Sequence, residues 1–297
     1  MTDADKRPSY LWPEGYACAA CFSVDVDADS PYRWQYRDGM PATLGQLEQR
    51  RFGPRQGLWR LLDLIESHGI KGSFYVPGIV AETYPDMLPE LLSRGHEIGL
   101  HGYFHEIVSE SDDAEFARSL DKSLALFERQ TGQRPIGFRS PAWEMTLPMI
   151  VRLKREGLRY DSSLMGFDHP YEIDGMVEIP VQWLLDDAMY FKFVGGGNDN
   201  GPPVNPGAVL ESWTMEFDGL NRFGGLFMLT VHDWISGRGQ RVLMLDRLFQ
   251  HIASVGNTWW ATAAELADWH RSSANAGRFI VKSDIPDNIG PRRGETI

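Results

Sequence analysis

Short apolar runs alternate with amphipathic stretches along most of the chain. Ala17-Cys18-Ala19-Ala20-Cys21-Phe22-Ser23-Val24 reads as a buried strand. Leu58, Leu61, Leu62 and Ile65 fall on one helical face, and Gly69 stops that helix. Gly72 to Val76 predicts a second strand, and a helix over about 85–94 feeds the strand Glu97 to Leu100. Ser109 or Ser111 is the expected cap of a longer helix carrying Phe116, Leu120, Leu124 and Phe127, closed by Gly132. Ile136 to Phe138, Leu158 to Tyr160 and Val177 to Ile179 are further strand candidates, with a helix over 147–156 among them. A Gly/Pro/Asn-rich loop spans Val194 to Gly207. Leu226 to Val231 is strongly apolar, and a helix over 242–255, a strand near 258–260 and a helix opening at Thr262 complete the pattern.

Repeated strand–helix units imply parallel strands covered by helices. With about seven or eight units and no linker between them, the expected fold is α/β, a single distorted (β/α) barrel filling the chain of 297 residues. The stretch Asp29 to Pro54 is long for a β/α connection and is expected to be functional. The residues before the first strand form an N-terminal arm, and those after Ser272 an extension expected to pack on a neighbouring subunit.

Composition narrows the partners. A formal net charge of −12 argues against nucleic acid, whose phosphates need a basic surface. The polar start, Met1 to Pro8, has no apolar signal-peptide core, and no stretch reaches membrane-spanning length, so a cytoplasmic location is expected. Cys18 and Cys21 lie three apart on a strand, face opposite ways, and read as buried structural thiols rather than a redox pair.

The chemistry gathers at strand ends. Asp25, Asp27, His101, Arg139, Asp161 and His232 each end a predicted strand, and in a β/α barrel those ends converge on one mouth. The alternation Ser23-Val24-Asp25-Val26-Asp27 points both carboxylates to one side, where a cation or an arginine relieves their repulsion. His101 and His105 alone are as compatible with a solvated surface pair as with a site. With a carboxylate from another strand end, a His-His-Asp metal site with an open position becomes the better reading. Arg139 is placed to hold Asp25 ionised. His232 is the natural proton donor for a leaving amine, with Asp161 either a carboxylate partner to it or simply the end of a strand, and Asp233 a weaker partner. Pro141 and Trp143 beside the arginine, and Trp234 beside the last histidine, are the candidate substrate-binding residues.

On Ser23-Val24-Asp25-Val26-Asp27, His101-Gly102-Tyr103-Phe104-His105, Arg139-Ser140-Pro141, Asp161-Ser162-Ser163 and Leu229-Thr230-Val231-His232, the chain resembles the polysaccharide-deacetylase (NodB-homology) family, carbohydrate esterase family 4 and its relatives. The resemblance runs over roughly 16–269, with five motifs in order. It implies one NodB-type domain and a divalent metal, usually zinc, held by Asp27, His101 and His105. It further implies Asp25 as general base, Arg139 as its partner and His232 as general acid. Most secreted deacetylases carry two adjacent aspartates; here Val26 separates them. That spacing and Arg51-Phe52-Gly53-Pro54-Arg55-Gln56-Gly57 look more like an intracellular branch of peptidoglycan-deacetylase-like proteins, an allantoinase and cyclic imide hydrolases, often homotetramers. Removal of an N-acyl group from a sugar or glycan is therefore the leading expectation. Opening of a small cyclic amide or imide is the alternative, and a catalytically silent carbohydrate-binding barrel a more distant one.

Overall fold

A computed structural model describes residues 9–39, 43–195, 199 and 201–283. Ten strands form one sheet: β1 (Cys18–Asp25), β2 (Gly72–Val76), β3 (Glu97–Leu100), β4 (Gly137–Phe138), β5 (Tyr160–Asp161), β6 (Tyr171–Ile173), β7 (Met176–Glu178), β8 (Leu226–His232), β9 (Thr258–Trp260) and β10 (Ile280–Val281). The order is β10-β6-β7-β5-β4-β3-β2-β1-β8, parallel except where β6 and β7 form a hairpin. β8 runs along one edge of β1; β9 and β2 share the other, against Cys18–Ala20 and Phe22–Asp25 in turn. The sheet curls without closing. Among the described residues its open seam beside β8 is bridged only by Asp186 against Thr230, so the expectation of a distorted barrel holds.

β1 is the axis of the fold because all eight of its residues are buried. Its two faces serve different cores. Cys18, Ala20, Phe22 and Val24 pack outward against the helices, while Ala19 and Cys21 pack into the barrel interior. The two thiols are free and on opposite faces, as the period of a strand requires.

Several expectations are corrected. The connection after β1 is helical, over Ser30–Gln35 and Leu44–Phe52, the second opened by a capping box at Thr43. A π-helical turn, Gly53–Gly57, then leads into the helix Leu58–Ser67. The cap of the long helix Asp113–Thr131 is Asp112, whose carboxylate accepts from Glu115 N, and not Ser109 or Ser111. An 18-residue helix, Pro206–Phe223, follows a loop that ends at Asn205, two residues earlier than the composition suggested. Asn205 caps it, Pro206 opens it, and Val209, Trp213, Phe217 and Leu220 make its buried stripe. Residues 196–198 and 200 of the Val194–Gly207 stretch lie outside the described residues. The described part of the C-terminal extension, up to residue 283, also packs on its own chain: β10 pairs with β6, and Phe279 packs with Tyr10 and Tyr171.

The π-turn is clamped to the segment that follows β8. A methyl group on Gly57 would meet the Asp233 carbonyl oxygen at 2.0 Å, and one on Gly53 would meet the Asp233 carboxylate at 2.1 Å. Gly57 has ordinary helical dihedrals, so only close approach demands glycine there. Gly57→Ala is expected to destabilise the protein by roughly 1–3 kcal/mol through overpacking. A denaturant midpoint equal to that of the parent protein would show that the two segments separate freely.

Candidate active site

The C-terminal ends of β1, β3 and β8 open into a cleft of about 700 Å³. Asp25, Asp27, His101, His105, His232, Trp143 and Trp234 all line it. β1 delivers the aspartates from one face, as their alternation predicted. The sheet register then sets Asp25 beside His232 on β8.

Arg139 is fully buried and wholly engaged. Its Nη1 donates to Asp25 Oδ1 at 2.8 Å and to Ser23 Oγ at 2.9 Å. Nε donates to the Ser162 carbonyl at 3.0 Å, Nη2 donates to Ser162 Oγ at 2.9 Å, and the guanidinium lies over the Tyr75 ring. Burial by itself would raise the Asp25 carboxyl; Arg139, followed by His101 and His232, outweighs it and holds the group below the ordinary carboxylate range.

His101 Nδ1 lies 2.9 Å from the Arg139 carbonyl. A carbonyl can only accept, so Nδ1 carries the proton and a neutral His101 presents a bare Nε2. That Nε2 stands 3.5 Å from Asp27 Oδ1, and His105 Nε2 stands 3.6 Å from the same oxygen. Asp27 Oδ1 is buried and accepts no hydrogen bond. Two nitrogens and an orphaned carboxylate oxygen at these separations match the edges of a tetrahedral zinc site, about 3.3 Å for ordinary bond lengths. Burial pushes His105 down to about 4, the neutral form a metal requires. The donor set therefore fits a divalent ion. Its loop is held in an uncommon conformation: His105 has φ +62°, and Glu106 accepts from Tyr103 N at 2.9 Å and from Ser119 Oγ at 2.5 Å.

His232 has a different partner from the one expected. Its Nδ1 is 2.7 Å from Asp187 Oδ1, and its backbone N–H donates to Asp187 Oδ2 at 3.0 Å. Ser236 Oγ donates to that second oxygen as well. Burial would lower the His232 imidazole; Asp187, then Asp186 and Asp27, raise it to about 10. Asp161 does not meet His232. It accepts from Ser163 Oγ at 2.9 Å and faces Glu178, which itself accepts from Ser163 N and Leu164 N at 2.8 Å each. Burial pushes the Glu178 carboxyl well up, and a proton held between the two acids satisfies Asp161 Oδ2 and Glu178 Oε2, which otherwise lack partners. The Asp161-Ser162-Ser163 motif thus serves Arg139 and the Ser140 amide, which donates to Ser163 Oγ at 2.8 Å. Asp233 is buried with one oxygen on its own helix start, and it does not contact His232 through a hydrogen bond either.

Two of the three expected substrate residues reach the cleft. Trp143, placed by successive left-handed residues at Ala142 and Trp143, stacks on Trp183 with ring centroids 4.5 Å apart. Trp234 lines the cleft as well. Pro141 does not line the cleft: it packs behind the His101 loop, 3.2 Å from where a Gly102 side chain would begin. Arg50, Trp183, Asp186 and Asp187 were not anticipated. The 183–187 stretch has no periodicity, and only the seam beside β8 brings it to His232.

The polysaccharide deacetylase family model matches residues 52–160. A Mycobacterium smegmatis protein assigned as a polysaccharide deacetylase is 33% identical, with a TM-score of 0.83 over 89% of this chain and 94% of that one. The chain belongs to the polysaccharide deacetylase family. A peptidoglycan deacetylase of Helicobacter pylori is 28% identical over 83% of this chain and 94% of its own length. The Puue allantoinase shares the fold, with a TM-score of 0.76 at 20% identity over 90% of this chain and 95% of that one. No described helix of this polysaccharide deacetylase relative is long and apolar enough to cross a membrane.

A metal that binds only the folded protein raises its unfolding temperature, increasingly so above the dissociation constant. Zinc ion added to metal-free protein is expected to do this, and His105→Gln is expected to remove most of the rise. An equal rise in the variant, measured by calorimetry, would move the metal elsewhere.

Proposed function

We propose that the protein removes an N-acyl group from an amino sugar or glycan, with a divalent metal, zinc by its donor set, held by Asp27, His101 and His105. The observation that carries this reading is the convergence of the Asp25–Arg139 pair, the Asp27–His101–His105 set and the His232–Asp187 pair on one cleft. The names of the relatives point to the same chemistry.

When bound, the ion supplies Lewis acidity toward the amide carbonyl. Asp25, kept ionised by Arg139 and not needed as a ligand, accepts the proton of the attacking water. His232 donates from Nε2 to the departing nitrogen, with Nδ1 tied to Asp187 so that the ring cannot turn away. The stacked Trp143–Trp183 pair offers a flat apolar wall for a sugar ring. A cytoplasmic location and a homo-oligomer belong to the same proposal, since an oligomer would cover Leu184, Met189 and Phe193, exposed apolar residues near the cleft.

Asp25→Asn keeps the shape and removes the base. Turnover of N-acetylglucosamine oligomers is expected to fall by about a hundredfold or more, with zinc still bound. Mass spectrometry decides the bond: loss of an acetyl group supports deacetylation, and a cyclic imide gaining one water would put ring opening in its place.

The pH profile tests the acid. His232 must be protonated to act, so activity declines as pH rises through its pKa. Asp187→Asn removes the nearest negative charge and lowers that pKa. The alkaline limb of kcat/KM is expected to move to lower pH in this variant, and an unmoved limb would take His232 out of the role.

A further inference from the structure

Arg50 has no part in the chemistry above, yet the structure has built a seat for it in the cleft wall. The side chain comes from the helix Leu44–Phe52 and is 4% exposed. Its guanidinium lies 4.1 Å from the centre of the Trp234 ring and 5.1 Å from that of Tyr32. The nearest acid is Asp27, whose Oδ2 stands 3.6 Å from Nη1, and Nε has no hydrogen-bond partner. Among the described residues this guanidinium makes no hydrogen bond at all, although Arg139 a short distance away uses every nitrogen. A buried Nε without an acceptor is costly, and the two terminal nitrogens are free to donate to a group that enters the cleft.

The glycine contacts explain how the seat is kept. Gly53 and Gly57 press the π-turn against Asp233 and Gly237, so the helix carrying Arg50 is locked to the segment carrying Trp234. The Arg51–Gly57 sequence therefore has a use: it fixes the depth of Arg50. A second cation lines the same cleft. Lys192 makes no ion pair among the described residues. Partial desolvation, then repulsion from Arg50, lowers its ammonium below the ordinary lysine range. In a chain of formal net charge −12, two neighbouring cations facing a cleft, Lys192 with no ion pair among the described residues and Arg50 with only the Asp27 carboxylate at 3.6 Å and no hydrogen bond, mark a place for an anion.

We propose that Arg50, assisted by Lys192, is a specificity-determining subsite for an oxyanion, a carboxylate or phosphate, carried by the substrate. The subsite rests on the cleft being the substrate site but does not depend on which bond is cut. The planar fork of Arg50 is pre-organised by its stack on Trp234, which suits paired donation to one oxyanion.

Binding tests it apart from turnover. Zinc-loaded protein in an Asp25→Asn background would be titrated, by tryptophan fluorescence, with N-acetylglucosamine, its 6-phosphate and N-acetylmuramic acid. At least one acidic sugar is expected to bind about tenfold more tightly than the neutral one, with an advantage that shrinks as salt is added. The acidic sugar showing the advantage identifies the oxyanion. Arg50→Met is expected to weaken that sugar about tenfold more than the neutral one, and Lys192→Met to act in the same direction, less strongly. Equal affinity for all three sugars overturns the subsite. So does an Arg50→Met loss shared equally by all three, which would mark a packing role. A charge preference without hydrolysis by the parent protein would keep the subsite and refute deacetylation; hydrolysis without preference would do the reverse.

Discussion

The buried pair of Asp25 and Arg139 is the contact on which the rest of the site depends. A carboxylate and a guanidinium, both almost fully out of water, are tolerable only when every remaining donor finds an acceptor. That requirement recruits the chain on three sides. Ser23 on β1 accepts from Nη1, Ser162 after β5 accepts through both its carbonyl and its hydroxyl, and Tyr75 on β2 offers its ring face. The Arg139 carbonyl then sets the tautomer of His101. One buried ion pair thereby determines the ionisation of one aspartate and the orientation of a histidine that faces the other.

Around this pair the structure separates carboxylates by environment. Asp25 and Asp27 face cations and imidazoles and stay ionised, while Asp161 and Glu178 face each other and are pushed up by burial. The first group can act on protons or bind an ion. The second group holds the loop that holds Arg139, and a proton shared between its two carboxyls leaves the barrel interior one buried charge instead of two. Asp187 is a third case, buried but with both oxygens bonded to the His232 ring, the His232 backbone and Ser236.

Backbone conformation carries the rest of the positioning. Ala28, His105, Ala142 and Trp143 all lie in the left-handed region without being glycine, and all four line the cleft or adjoin a residue that does. Such residues cost on the order of 1–3 kcal/mol each, so the surrounding contacts must over-determine them. Glu106 supplies one such contact, beneath the His101–His105 loop.

Much of this was legible in local pattern. Strand alternation put Asp25 and Asp27 on one side, strand ends named Arg139 and His232, and glycines marked most helix stops, because these depend on periodicities of two and 3.6 that a sequence displays directly. The misses share a physical cause. Asp187 reaches His232, and Arg50 reaches Trp234, across a seam and a glycine-lined contact that join segments distant in sequence, with no repeating pattern on either side. The partner of Asp161 stayed open because a strand end says only which mouth a side chain faces, not which neighbour it meets there. By itself the sequence determined that Asp25, Asp27, His101, His105 and His232 gather at one cleft. Only tertiary packing decided which of them touch, because hydrogen bonds and ion pairs act over a few ångströms and periodicity carries no information about distance between strands far apart in the chain.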